Sequence, residues 1–208
     1  VYKRQVFSSA TLAIHVEANE IQRFVDGYRS MPCVSLGLPL KGMPSLTVEN
    51  YLGMREVISH LIEEHGFRRI AFISGPEGHP ESKIRFQAYK DELDEHGIPL
   101  DTRLVSPPTE WTEDAGQEAL RVLLDERGLQ PGSDFEAIAA SNDETALGVL
   151  TELLVRGIHV PMDVAVTGFD GFEKGEYCIP PLTTVRQPVY EQAHMAIEMV
   201  LAQLRGED

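Results

Sequence analysis

From Met54 onward, short apolar runs alternate with longer stretches of helical period, and few folds accept that order. Met54, Val57, Ile58, Leu61 and Ile62 form the i, i+3, i+4, i+7, i+8 stripe of an amphipathic helix ending at Gly66. Arg69-Ile70-Ala71-Phe72-Ile73 reads as a strand, and Glu81 to His96 as a helix stopped by Gly97. Leu104-Val105 reads as a short strand. A helix then opens at Thr112, a good N-cap, with Glu113 and Asp114 at its positive end, and runs to Arg127 before Gly128. The strand Ala137-Ile138-Ala139-Ala140, a helix from Asp143 to Arg156, the stop Gly157 and the strand Val164-Ala165-Val166-Thr167 complete the pattern. Ala196, Met199, Val200 and Gln203/Leu204 mark a final helix. Strand, helix, strand with right-handed crossovers requires a parallel sheet covered on both faces. The expected class is therefore α/β with doubly wound parallel sheets.

Open parallel sheets bind ligands outside the carboxyl ends of their strands, where loops and helix N-termini converge. Those ends carry Ser74-Gly75-Pro76-Glu77-Gly78-His79-Pro80, Ser106 to Trp111, Ser141-Asn142-Asp143 and Gly168-Phe169-Asp170-Gly171, with Arg85 nearby. Asn, Asp and Arg supply donors and acceptors for hydroxyls, and an indole face stacks on a ring. Each residue also has a plainer reading. Asn142 and Asp143 are placed to serve a helix N-terminus, and Trp111 to pack a loop. Arg85 could be a solvated or salt-bridged helix residue, and Asp170 could shape a turn.

Composition narrows the function. Against 33 Asp plus Glu stand 18 Lys plus Arg, a formal net charge of −15 in 208 residues, which argues against this chain gripping phosphates or an anionic membrane. No run of eighteen apolar residues exists, so no membrane partner is expected. Cys33 and Cys178 form no CxxC pair, and the segment from Val1 to Ser8 has no apolar core of a secretory signal; a reduced, cytoplasmic setting is expected. GxGxxG after a strand, GxxxxGK[ST], HExxH and GxSxG are all missing, and the seven histidines show no metal-ligand spacing. No catalytic residue, cofactor or metal is expected.

Ile70-Ala71-Phe72-Ile73-Ser74-Gly75-Pro76, Arg85, Ser141-Asn142-Asp143-Glu144-Thr145-Ala146-Leu147-Gly148, Gly168-Phe169-Asp170 and Pro181-Leu182-Thr183-Thr184-Val185-Arg186-Gln187-Pro188 follow one another in a known order. The chain resembles, over roughly residues 6 to 205, the effector-binding region of LacI/GalR transcription regulators, which share the periplasmic sugar-binding-protein fold. That resemblance implies a ligand-sensing domain that binds a small polar effector, a saccharide, between two subdomains and so controls DNA binding. It assigns ligand contacts to Arg85, Asn142 and Asp170, a stacking surface to Trp111 and a hinge-rim position to Gln187. A homodimer is the expected assembly, with DNA contacted only through a helix-turn-helix N-terminal to these residues.

The resemblance also implies subdomains at 1–74 plus 188–208 and at 75–187, with crossovers near Ser74-Gly75-Pro76 and Gln187-Pro188. The first is expected to be incomplete, because the family's first two βα units and last strands have no counterpart here. Gly37 stands where some members carry a polar contact, and Glu49-Asn50 replaces Asp-Asn, so the sugar is not read from the sequence. Two other uses of the fold stay open. His79-Pro80-Glu81 resembles a variant found in repressor-like sensor heads of signalling proteins, and a solute-binding protein for transport has the same architecture.

Overall fold

The buried stripe Met54, Val57, Ile58, Leu61 and Ile62 lies on one helix, Asn50–Glu63, and that helix belongs to the second of two compact units. The structure is a computed structural model describing residues 5–13, 15–28 and 30–207. The part of the N-terminal reading that rests on 1–4 lies outside the described residues.

The first unit comprises Val1–Glu49, Gly78–Pro80 and Gln187–Asp208. It begins with β1 (Gln5–Ser8), α1 (Ser9–Leu12), α2 (Ala18–Asp26), β2 (Cys33–Leu36) and the two-residue β3 (Ser45–Leu46). The strands make a parallel sheet in the order β1-β2-β3, with Gln5 opposite Cys33 and Ser35 opposite Ser45. Ile21, Val25, Cys33, Leu38, Leu40 and Met43 form its core.

The second unit comprises Asn50–Glu77 and Glu81–Arg186. Its elements are α3 (Asn50–Glu63), β4 (Ile70–Ile73), α4 (Pro80–Glu95), α5 (Glu113–Arg121), β5 (Ala137–Ala140), α6 (Asp143–Val155), β6 (Ala165–Asp170), α7 (Glu173–Tyr177) and β7 (Thr183–Arg186). The chain then returns to the first unit with α8 (Val189–Arg205). There Ala196 and Val200 pack on Val34, and the Gln203 amide brackets Cys33, accepting from its N–H at 2.9 Å and donating to its carbonyl at 3.0 Å.

β4 to β7 pair in parallel and in chain order, with Ile70 opposite Ala137, Ala137 opposite Ala165 and Ala139 opposite Thr167. Val105 bridges Phe72 on the outer side of β4. The chain therefore steps outward from β4 to Val105 and returns inward to β5, so the winding reverses between β4 and β5. Such a reversal opens a crevice at the carboxyl ends of the two strands. Because side chains alternate along a strand, Ala71 and Ile73 face Leu120, Leu123, Val149 and Leu153. Phe72 faces the other way, stacked on Tyr89 at 4.8 Å, whose hydroxyl donates to the Ile70 carbonyl at 2.9 Å. Both faces of the sheet are thus covered by helices, as a parallel sheet needs.

Several details depart from the sequence reading. The division expected at residue 74 assigned the helix 50–63 and the strand 70–73 to the first subdomain; in the structure both pack with the β4–β7 sheet. The stripe on α3 is buried within the second unit, and the boundaries fall at 49/50, 77/78, 80/81 and 186/187. Leu104 lies in a 3₁₀ turn, Thr102–Leu104, rather than a strand. Val105 makes one bridge only, because Pro107 and Pro108 lack the N–H groups to continue a ladder. α5 stops at Arg121 and widens into a π-turn over Val122–Glu126, with Arg127 N–H donating to the Val122 carbonyl at 3.1 Å. β6 runs three residues past Thr167 and β7 forms the sheet's edge, which the pattern of residues 164–187 did not predict.

Candidate functional site

Each crossover that starts at the winding reversal delivers one polar or aromatic group to the same place. Arg85 sits on the second turn of α4, which follows β4; Trp111 precedes α5; Asn142 caps α6 after β5; Asp170 ends β6. All four belong to the second unit, whereas Gln187, the fifth expected residue, belongs to the first.

Arg85 is the hub. Its side chain is 2% exposed, which excludes the solvated reading. Nε donates to Asn50 Oδ1 at 2.8 Å, and one terminal nitrogen donates to the Ser141 carbonyl at 2.7 Å. The other terminal nitrogen lies 3.4 Å from Asp170 Oδ1 and 3.8 Å from Glu81 Oε2. The guanidinium carbon stands 3.8 Å from the centroid of the Phe169 ring and 5.2 Å from that of Trp111. Such contacts suit arginine, whose flat, weakly hydrated cation tolerates burial against rings better than an ammonium does. Burial pulls the Arg85 pKa below its ordinary value, while the carboxylates of Asp170, Glu81 and Asp143 push it back up.

Trp111 is half-buried, and its indole N–H donates to Ser141 Oγ at 3.0 Å. Gly75 makes that position possible: a Cβ there would fall 2.2 Å from Trp111 Nε1. Asn142 caps α6 through Oδ1, which accepts from the Thr145 N–H at 3.0 Å and the Thr145 hydroxyl at 2.8 Å. Its capping reading therefore holds. Asp143 is wholly buried; Oδ1 accepts from Thr184 Oγ1 at 2.6 Å and Oδ2 from the Phe172 N–H at 2.7 Å. It ties the segments after β6 and within β7 to α6. Gly168 leaves room for it, since a Cβ there would meet Asp143 Oδ1 at 2.2 Å.

Asp170 holds its place at a backbone angle, φ of 127°, that an L-residue adopts only under constraint. It closes β6, paired with Arg186 of β7, and is not the tip of a free turn. The sequence reading missed two partners of Arg85. Asn50 carried the signal of a polar residue heading an amphipathic stripe, and Phe169 that of an aromatic residue inside Gly168-Phe169-Asp170.

The assembly sets a fixed cation, two carboxylates and the half-buried Trp111 ring beside backbone carbonyls, with Phe169 wholly buried against Arg85. It is equipped to donate to, accept from and stack on a small polyhydroxylated or heterocyclic molecule. Among the described residues no group of three or more His, Cys, Asp or Glu could hold a metal ion, and no helix is long and apolar enough to cross a membrane.

Residues 58–208 match the family model described as the periplasmic binding protein-like domain. The transcriptional regulator AscG of Escherichia coli strain K12 is 33% identical over 195 residues, covering 93% of this chain and 56% of AscG. The repressor CytR of the same strain is 33% identical over 165 residues, 79% of this chain and 46% of CytR. A solved structure of the transcriptional regulator CelR in complex with cellobiose superposes with a TM-score of 0.82 at 30% identity, covering 98% of this chain and 59% of that one. The chain thus spans about half the length of the curated relatives it matches.

Proposed function

Because the chain belongs to the periplasmic-binding-protein-like effector domains of LacI/GalR-type regulators, we propose that it senses a small polyhydroxylated effector, of the saccharide class, at the carboxyl ends of β4, β5 and β6. The observation that carries this reading is the Arg85 guanidinium, buried between the Asp170 and Glu81 carboxylates and against two aromatic rings. A vicinal diol can accept from the guanidinium and donate to a carboxylate at once, while the apolar face of a sugar ring lies on an indole. Arg85, Asp170, Trp111, Asn142 and Gln187 are the proposed contacts. The relative solved with cellobiose supports the choice of ligand class.

Effector binding changes the populations of two states by no more than its difference in affinity for them, and that difference is what a regulator transmits. The DNA contacts of the parent protein are assigned to another segment, in keeping with the net charge of −15. The reading is of a cytoplasmic, homodimeric sensor that returns its ligand chemically unchanged.

Calorimetry with mono- and disaccharides, nucleosides and amino acids tests it. A sugar is expected to bind, and Arg85→Ala and Asp170→Ala each to weaken it tenfold to about a hundredfold, the worth of one lost charged hydrogen bond. A ligand whose affinity both variants leave unchanged would falsify the assignment of the site.

A further inference from the structure

The end of α3 brings together two histidines that their spacing would keep apart. His60 lies in the last turn of α3 and His65 five residues on, so on a continuous helix they would point about 140° apart. The helix stops instead. Gly66, at a φ of 70°, turns the chain; its N–H donates to the Ile62 carbonyl at 3.0 Å and that of Phe67 to the Leu61 carbonyl at 3.1 Å. The His65 ring stacks on Phe67, with centroids 5.4 Å apart and planes 19° apart, and stands edge-on to His60 at 4.8 Å. The two Nε2 atoms lie 3.2 Å apart in a hydrogen bond, so one of them offers a bare lone pair. Both histidines are exposed, and α3, His65 and Phe67 all belong to the second unit.

We propose that His60 and His65 form a chelating site for a divalent transition-metal ion of the copper, nickel and zinc class. At metal–nitrogen distances of about 2.0–2.1 Å, two imidazole nitrogens on one ion lie about 2.9 Å apart at a right angle and about 3.3 Å apart at the tetrahedral angle. The separation of 3.2 Å already falls in that range. The ring that donates in the pair shifts its proton from Nε2 to Nδ1, where water accepts it, so both nitrogens meet the ion as neutral donors. Imidazole selects this class of ion, whereas Mg²⁺ and Ca²⁺ take oxygen. The local field favours a cation. The pair sits at the negative end of the α3 dipole, and the exposed Glu56 and Glu64 stand four residues to either side of His60. Among the described residues no third His, Cys, Asp or Glu completes the set, so water fills the remaining positions and the ion is exchangeable. Bound there, it would cross-link the end of α3 to the turn that leads into β4.

Cu²⁺, Ni²⁺ and Mg²⁺ are the probes, titrated into the untagged chain and read by calorimetry and by the amide signals of the isotope-labelled protein. No effector is needed, so the outcome is separate from that of the sensor reading. A single Cu²⁺ per chain is expected to bind and to broaden the signals around His60 and His65 first. Ni²⁺ should bind the same place more weakly, and Mg²⁺ should move nothing there. His60→Gln and His65→Gln change exposed positions that the fold tolerates. Each should lower the Cu²⁺ affinity about a hundredfold, the avidity of two donors held on one ion. His159→Gln, at another exposed histidine, should leave it unchanged. Cu²⁺ spread over several of the seven histidines, an affinity that survives the loss of either His60 or His65, a response to Mg²⁺ equal to that to Cu²⁺, or no saturable binding of Cu²⁺ would each overturn the proposal.

Discussion

Replacing Asp170 by glycine and by alanine separates two forces that the structure superimposes at one residue. Both changes remove the carboxylate 3.4 Å from the Arg85 guanidinium. At an effective dielectric of about 20, a unit pair at that distance attracts by roughly 5 kcal/mol. Asp170's own desolvation and the remaining Glu81 carboxylate reduce the net loss to about 2–4 kcal/mol, in line with breaking a buried pair. The two variants then differ only in backbone. Alanine must keep φ near 127°, a conformation costing an L-residue about 1–3 kcal/mol, and glycine need not resist it. In an ordinary strand glycine is the worse residue by about 0.5–1 kcal/mol. Here the order should invert, with Asp170→Gly about 1 kcal/mol more stable than Asp170→Ala. Equilibrium urea unfolding followed by the fluorescence of Trp111, the single tryptophan, reports on the unit that contains both residues. Asp170→Ala matching or exceeding Asp170→Gly would refute the argument from backbone strain. Either variant falling within about 0.5 kcal/mol of the wild type would refute the dependence of Arg85 on Asp170.

Three further outcomes are expected. Gly75→Ala drives a methyl into Trp111 Nε1 and Ser82 Oγ, so it should break the 3.0 Å indole bond to Ser141, change the Trp111 emission maximum and cost about 1–3 kcal/mol in urea unfolding. Asn142→Ala strips two hydrogen bonds from the start of α6 and should cost about 1–2 kcal/mol by the same assay. Hydrogen bonding from Arg121, aided by Arg156, holds the buried Glu152 carboxyl below its ordinary pKa, against desolvation. The stability it contributes is fully present above the ordinary carboxylate range and is lost as the pH falls through the lowered value, so Glu152→Gln should flatten the acid limb of a stability–pH curve.

What could be read beforehand was what local chemistry decides. Thr112 and Asn142 cap their helices as their sequence contexts predict, because a cap needs only the next three residues. The apolar stripe on α3 was equally plain, but not its destination, since a helix's period says which face is buried and not against which sheet. β7 leaves no signal in the sequence because Thr183-Thr184-Val185-Arg186 is an edge strand without apolar alternation, and the π-turn after Arg121 carries no breaker residue. Arg85 was legible as a polar residue near a strand end. Its burial was not, because Asn50 and Ser141, which hold it, lie 35 and 56 residues away. Trp111 and Gly75 were each visible, and their mutual fit was not.

The winding reversal between β4 and β5 has a kinetic corollary. Asn50, Arg85, Trp111, Ser141 and Asp170 come from separate crossovers spread over most of the second unit, and no hairpin or contiguous segment holds even three of them. Their convergence waits for non-local parallel pairing, which is slow because each chain closure precedes the contacts that reward it. Recognition should therefore emerge late in refolding, together with the last sheet contacts, and disappear in one step when the unit opens. A bound effector would accordingly slow the unfolding of the whole second unit, not the fraying of a loop.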